Sequence, residues 1–219
     1  LFLTFWFISA NPDLQIGTGG FGFGCGSNSP AAQVPYSFVR LGPDTAPLPE
    51  NNKEVSALGG YSSADHHLRA FSHMHLVGAG IMDMGIFGVL PTSGKNKKPT
   101  IPKDTLETSS NKHKKNTGYY KVDIESNITA HFTTSQRTGA HRYELKNKGS
   151  PYNINFLTGY LLDKKGKRNS TTIRCGEKCL EGSILVQSGF GGRFGGYTAH
   201  FRLEWTSNSQ DNVYLFDDN

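Results

Sequence analysis

The chain has 219 residues, of which 36% are hydrophobic and 26 are glycine, and 23 basic against 18 acidic side chains leave a net charge of +5. No stretch approaches the roughly 20 consecutive apolar residues of a membrane-spanning helix, so no membrane span is expected. The basic excess lies in short runs among Gly, Asn, Ser and Pro, namely Lys95, Lys97 and Lys98, Lys112, Lys114 and Lys115, and Lys164, Lys165, Lys167 and Arg168. Such runs read as solvated loops, without the interleaved aromatics of a nucleic-acid surface, so no nucleic-acid partner is expected.

In chain order, the first element is the apolar run Leu1, Phe2, Leu3, Thr4, Phe5, Trp6, Phe7 and Ile8. It reads either as the tail of a secretory signal or as a strand apolar on both faces. Exposed, it would be costly, since burying each large side chain is worth about 1.5–3 kcal/mol. A strand of this kind could fill a groove in its own sandwich or in a neighbour's, and addition to a neighbour is a head-to-tail contact that can propagate a filament. Glycines at 17, 19, 20, 22, 24 and 26 follow. They lack the Lys-Ser/Thr ending of a phosphate loop and read as close-packed turning backbone.

Strands are predicted at Val34–Leu41 and Ile81–Leu90, and the Lys-, Thr-, Ser- and Pro-rich stretch Ser93–Asn116 reads as a long surface excursion. Tyr120, Val122 and Ile124 alternate with Lys121, Asp123 and Glu125, and a turn at Ser126-Asn127 leads to Ile128, Ala130 and Phe132. That pattern is a hairpin. Further strands are predicted at Ala140–Leu145, Asn153–Leu157, Thr171–Cys175, Ser183–Gln187 and Val213–Phe216. In Thr198–Trp205, Ala199, Phe201, Leu203 and Trp205 alternate with polar residues, so one face is buried and the other wet. Nothing reads as a long amphipathic helix. The expected fold is all-β, a two-sheet antiparallel sandwich with long loops, with residues 1–10 as an apolar extension and 11–219 as one domain.

Three cysteines are present, and Cys175-Gly176-Glu177-Lys178-Cys179 reads as a turn whose two thiols could close a short disulfide loop. A zinc site is the weaker reading because no histidine lies close in sequence, and no metal is assigned. Cys25 stays free, buried or paired with another chain. The sequons Asn127-Ile128-Thr129 and Asn169-Ser170-Thr171 are candidate N-glycan acceptors, the second in a polar loop. With the disulfide they point to a secreted protein. The His-rich Asp65-His66-His67 and Ser72-His73-Met74-His75 carry two readings. Extended backbone would aim His73 and His75 from one face as sugar or metal ligands, or both could hold loop backbone in place.

Several segments together resemble the N-terminal domain of glycoside hydrolase family 92, the calcium-dependent exo-acting α-mannosidases. They are Ile16-Gly17-Thr18-Gly19-Gly20, Val34-Pro35-Tyr36, Leu41-Gly42-Pro43-Asp44-Thr45, Gly60-Tyr61, Phe71–Leu76 with Gly78, Gly80 and Asp83, Leu90-Pro91-Thr92, Gly118-Tyr119-Tyr120 and Arg137–Tyr143. Phe21-Gly22-Phe23-Gly24-Cys25 departs from the more polar stretch that the family places after its glycine motif. The resemblance implies a β-sandwich packed on a larger helical barrel that supplies the general acid, the general base and most of the calcium site. No position here matches those carboxylates. The resemblance favours a structural position for His73 and His75, while His73, His75 and Asp83 stand beside that as candidate sugar- or metal-facing residues. No cofactor is expected for this chain alone, and calcium only with the full architecture.

The expected function is a non-catalytic, extracellular structural glycoprotein subunit, a homo-oligomer assembling through Leu1–Ile8, with glycans at Asn127 and Asn169. The alternatives are the N-terminal part of a secreted α-mannosidase-like hydrolase and a carbohydrate-binding module.

Overall fold

The computed structural model describes residues 13–19, 27–46, 58–65, 67–93, 114–116, 118–124, 128–147, 149, 151–163 and 165–206. The expectations for Leu1–Ile8, Cys25, Asn127 and Val213–Phe216 lie outside the described residues. The described chain is mostly β, antiparallel throughout, and consistent with a sandwich. It has three sheets where the sequence suggested two. Among the described residues no helix is long and apolar enough to cross a membrane.

The first sheet contains β1 (Gly42–Ala46), β2 (His67–Ser72), β3 (Ile86–Ser93) and β8 (Tyr152–Leu161), in the order β1-β2-β3-β8. The second runs in sequence order through β4 (Lys114–Asn116), β5 (Tyr119–Ile124), β6 (Ile128–Thr134) and β7 (Gly139–Leu145). The third holds β9 (Lys167–Gly176), β10 (Cys179–Gln187) and β11 (Tyr197–Glu204), with β10 central. One helical turn, α1 (Gly189–Gly192), joins β10 to β11.

The expected β5–β6 hairpin forms, with Tyr120 opposite Phe132, Val122 opposite Ala130 and Ile124 opposite Ile128. Direct cross-strand partners share a face, so these six side chains form one apolar surface. It packs on Leu68, Phe71 and Leu90 of the first sheet, with the Phe71 and Phe132 rings 4.4 Å apart. A second cluster joins Met74, Ile86 and Leu161 to Ile184 and Val186 of the third sheet, and Phe87 meets Phe201 at 4.7 Å.

Two predicted strands differ in the structure for local backbone reasons. Val34–Leu41 is no strand beyond an isolated bridge from Leu41 to Ala32. Pro35 lacks an N–H, and Ser37 N–H closes a turn on the Val34 carbonyl at 3.1 Å, with Tyr36 at φ +58°. Ile81–Leu90 becomes a strand only from Ile86, because Met84 and Gly85 stand at φ +68° and +67° and break the extended run. Strands β8 and β9 are longer than expected, and β9 includes Lys167 and Arg168, which the composition had marked as loop.

Candidate functional site

Three of the segments that carried the family resemblance, at Asp44, Gly60 and His141, meet the histidines of Ser72–His75. Thr18 is buried in the turn that follows Asp13, where its hydroxyl donates to the Gln15 carbonyl at 2.7 Å. Its own carbonyl accepts the Ser63 N–H at 2.9 Å. Thr45 N–H donates to the Gly60 carbonyl at 2.7 Å, and the Thr45 hydroxyl donates to Asp65 Oδ2 at 2.7 Å. Gly60 stands at φ +96°, and a Cβ there would overlap Asp44 Oδ1 and lie 2.8 Å from the His75 ring. The position therefore admits only glycine on two independent grounds.

Asp44 and His75 form the centre of this junction. Their side chains are fully buried, with His75 Nε2 2.6 Å from Asp44 Oδ1. His75 Nδ1–H donates to the Arg40 carbonyl at 2.8 Å. Because a carbonyl and a carboxylate both accept, the ring carries a proton on each nitrogen and the pair is ionic. Burial alone would lower the His75 pKa, but the Asp44 charge, its hydrogen bond and the Arg40 carbonyl together raise it. Burial, with the same Asp44 charge, holds the Tyr160 hydroxyl well above its ordinary value.

Ser72 Oγ also lies 3.0 Å from His75 Nε2, which assembles a serine, a histidine and an aspartate. In a nucleophilic triad the carboxylate binds one ring nitrogen and the serine the other. Here both meet Nε2 while a backbone carbonyl takes Nδ1, so the ring cannot relay a proton from Ser72 to Asp44. The arrangement is a buried structural ion pair.

His73 meets a different set of partners from His75. Its Nδ1–H donates to the Phe87 carbonyl at 2.6 Å, leaving Nε2 to accept from His141 Nε2–H at 2.9 Å. His141 Nδ1 in turn accepts from the Tyr143 hydroxyl at 2.8 Å. Every position in this chain is filled with both rings neutral. Burial, reinforced by the neighbouring His73, pushes His141 well below the ordinary histidine value, and burial also lowers His73.

Asp83 is the third candidate. Its Oδ1 accepts from the Ser188 hydroxyl at 3.1 Å, and Oδ2 accepts from Phe190 N–H at 2.9 Å and Gly191 N–H at 3.1 Å. It caps α1 from a distant segment, a task that Ser188 at the N-cap leaves unfilled. The structure thus bonds each of His73, His75 and Asp83 to the chain's own groups, and it sets Asp83 on α1 and not on either histidine. Calcium takes roughly six to eight oxygen ligands. Asp44, Asp65 and Asp83 are bonded to separate groups and, among the described residues, do not come together as a ligand set, so they do not by themselves fit a calcium site.

Away from the junction, Cys175 and Cys179 are joined in a disulfide across the β9–β10 turn, with Cα atoms 5.1 Å apart. Glu181 lies beside these sulfurs, but the bond leaves no thiolate to bind a metal. Asn169 is exposed, within strand β9 and not in a loop. Tyr36 is wholly exposed, at 101%, in a left-handed conformation that disfavours a large side chain.

Sequence reasoning gave no role to Asp44 or His141. Both stand in segments quoted for the resemblance, but their partners are 31 and 68 residues away. The only available signal was membership of those motifs.

Residues 13–219 match the glycosyl hydrolase family 92 N-terminal domain. No curated protein matches. Among solved structures, the family GH92 alpha-mannosidase BT3965 from Bacteroides thetaiotaomicron superposes with TM-score 0.63 at 24% identity, over 80% of this chain and 23% of that one. The gh92 family glycosyl hydrolase ccman5 gives 0.62 at 21%, over 87% and 25%. The family GH92 inverting mannosidase BT2199 from Bacteroides thetaiotaomicron VPI-5482 gives 0.54 at 17%, over 78% and 21%. At these identities the likeness shows the fold, and the chain spans about a quarter of each structure or less.

Proposed function

The chain belongs to the glycosyl hydrolase family 92 N-terminal domain family, and on that footing we propose that it is the non-catalytic N-terminal part of a secreted exo-α-mannosidase-type hydrolase. One observation carries the reading: the family match takes in nearly all of this chain, while the solved relatives run to about four times its aligned length. The geometry of the junction supports it, because His73, His75, Asp83 and one oxygen of Asp44 are bonded to the chain's own groups. Glycoside hydrolysis needs two carboxyl groups facing each other across a sugar. In this proposal the remaining polypeptide supplies them, together with the calcium ligands.

Secretion is part of the same proposal. It is supported by the Cys175–Cys179 disulfide, which persists in oxidising compartments, and by an exposed acceptor at Asn169. The filament reading rested on Leu1–Ile8, which lies outside the described residues, and the family match favours the hydrolase alternative.

The test is to purify the native gene product from its source and assay it on α-mannosides with and without a calcium chelator. A product of several times this chain's mass that releases mannose only with calcium is expected. A product of this chain's own mass, or one inert on every α-mannoside, contradicts the proposal.

A further inference from the structure

The β10–β11 connection, Ser188–Gly196, carries more than a chain reversal requires. Its sequence, Gly189-Phe190-Gly191-Gly192-Arg193-Phe194-Gly195-Gly196, sets two Phe-Gly-Gly units about one arginine. Phe190 is 51% and Phe194 86% exposed. The other turn of the same sheet, at Glu177-Lys178, reverses the chain with polar residues alone.

The exposed rings nevertheless sit on a fixed scaffold. Asp83 holds Ser188, Phe190 and Gly191 from one side. Gly192 N–H donates to the Ser188 carbonyl at 2.8 Å, Phe194 N–H to Gly191 at 3.1 Å, and Gly196 N–H to Gly191 at 2.9 Å. Gly189, at φ +49°, packs so closely that a Cβ would lie 2.7 Å from the Asp83 carboxyl carbon. The Arg193 guanidinium lies 5.1 Å from the Phe190 ring centre. Ordered aromatic and arginine side chains held outward lose little freedom on binding, which is the makeup of an interface hot spot.

We propose that Ser188–Gly196 is a preformed docking finger that seats Phe190 and Phe194 in the polypeptide making up the rest of the hydrolase. The occupant rests on the proposed function, because three quarters or more of each solved relative lies outside the part that this chain matches. Protein is favoured over sugar by the chemistry of the finger. Its N–H groups from Phe190 to Gly196 and the Ser188 hydroxyl are spent internally, and the side chains it presents outward are two apolar rings and the Arg193 guanidinium. A sugar's hydroxyls would also call for acceptor side chains, and neither a phenyl ring nor a guanidinium accepts.

Hydroxyl-radical footprinting, read residue by residue by mass spectrometry, tests this on the native gene product and on the purified 219-residue chain. Phe194 is expected to oxidise at least fivefold more slowly in the native product. The double variant F190S/F194S is expected to lower the native product's Tm by several degrees and to leave that of the 219-residue chain within about one degree. Equal oxidation in a longer native product overturns the proposal, even if that product releases mannose. So does protection of Phe194 in the 219-residue chain that a mannoside induces, or that deleting Leu1–Ile8 abolishes. A product inert on α-mannosides that still protects Phe194 overturns the hydrolase reading and leaves the finger standing.

Discussion

Strand β5 buries Tyr120, Val122 and Ile124 completely, whereas β11, with equally regular alternation, leaves Ala199, Phe201 and Leu203 only partly covered. The difference lies in what faces each sheet. The second sheet is covered by the first, so its alternating face meets Leu68, Phe71 and Leu90. The third sheet meets the first through a smaller cluster, and its edge strand β9 is exposed along nearly its whole length, Ile173 included. Its other face carries a surface network in which Arg202 bridges Glu181 and Glu204. Polar and basic residues along β9, among them Lys167, Arg168 and Arg174, suit an edge that must not pair with a neighbour. Alternation therefore tells which side of a strand is apolar, and the covering layer decides how much that side contributes.

Core truncation gives the largest contrast between the two regions. Phe132→Ala removes a ring packed on Phe71, Tyr120, His141 and Tyr143, and about 3–5 kcal/mol of stability should be lost in urea unfolding. Phe201→Ala, at the half-covered face, should cost less than half of that. Equal losses would show that the third sheet is as well packed as the other two. The ion pairs repeat the contrast. His75→Ala strands the Asp44 carboxylate in the core and should cost about 3 kcal/mol. Glu181→Ala, in the exposed network, should leave Tm unchanged.

The disulfide sharpens the picture of the third sheet. Cys175 and Cys179 are four residues apart, so the loop they close is small, and replacing both with serine should cost at most about 2 kcal/mol. A larger loss would mean that β9 and β10 depend on the bridge for their pairing.

Stability against pH separates the two histidine environments. His73 and His141 have lowered pKa values, so below the ordinary value near 6.5 the unfolded chain takes up protons that the folded rings refuse. Their contribution is complete above about pH 6.5 and is lost as pH falls toward the folded values. His75 has a raised pKa, so its contribution is complete below about 6.5 and is lost as pH rises through the folded value. Thermal melts from pH 5 to 8 should show an acid-side fall that His141→Gln reduces and His75→Gln does not. An acid-side fall unchanged in His141→Gln would contradict the neutral ring chain.

The β5–β6 hairpin and β11 were legible in the sequence because each has one dry and one wet face, which writes itself as period two. Strands β1 and β2 were not. In β2, Leu68 through Ser72 are all buried, so the run His67-Leu68-Arg69-Ala70-Phe71-Ser72 carries no alternation. The motif segments were visible by resemblance, but the roles of their residues were not. The Asp44–His75 pair depends on β1 lying beside β2, and Asp83 finds its partners more than a hundred residues away. The disulfide was readable because it is local, and the docking finger was not, since exposure of Phe190 and Phe194 is a property of the fold.

The most direct test of the central claim is to incubate the purified 219-residue chain, with its melting transition intact and calcium present, with an activated aryl α-mannoside. A domain that holds no pair of carboxylates facing each other across a sugar should release no mannose above the buffer blank. Turnover that tracks the folded fraction of the chain would place catalytic groups within these residues and contradict the account.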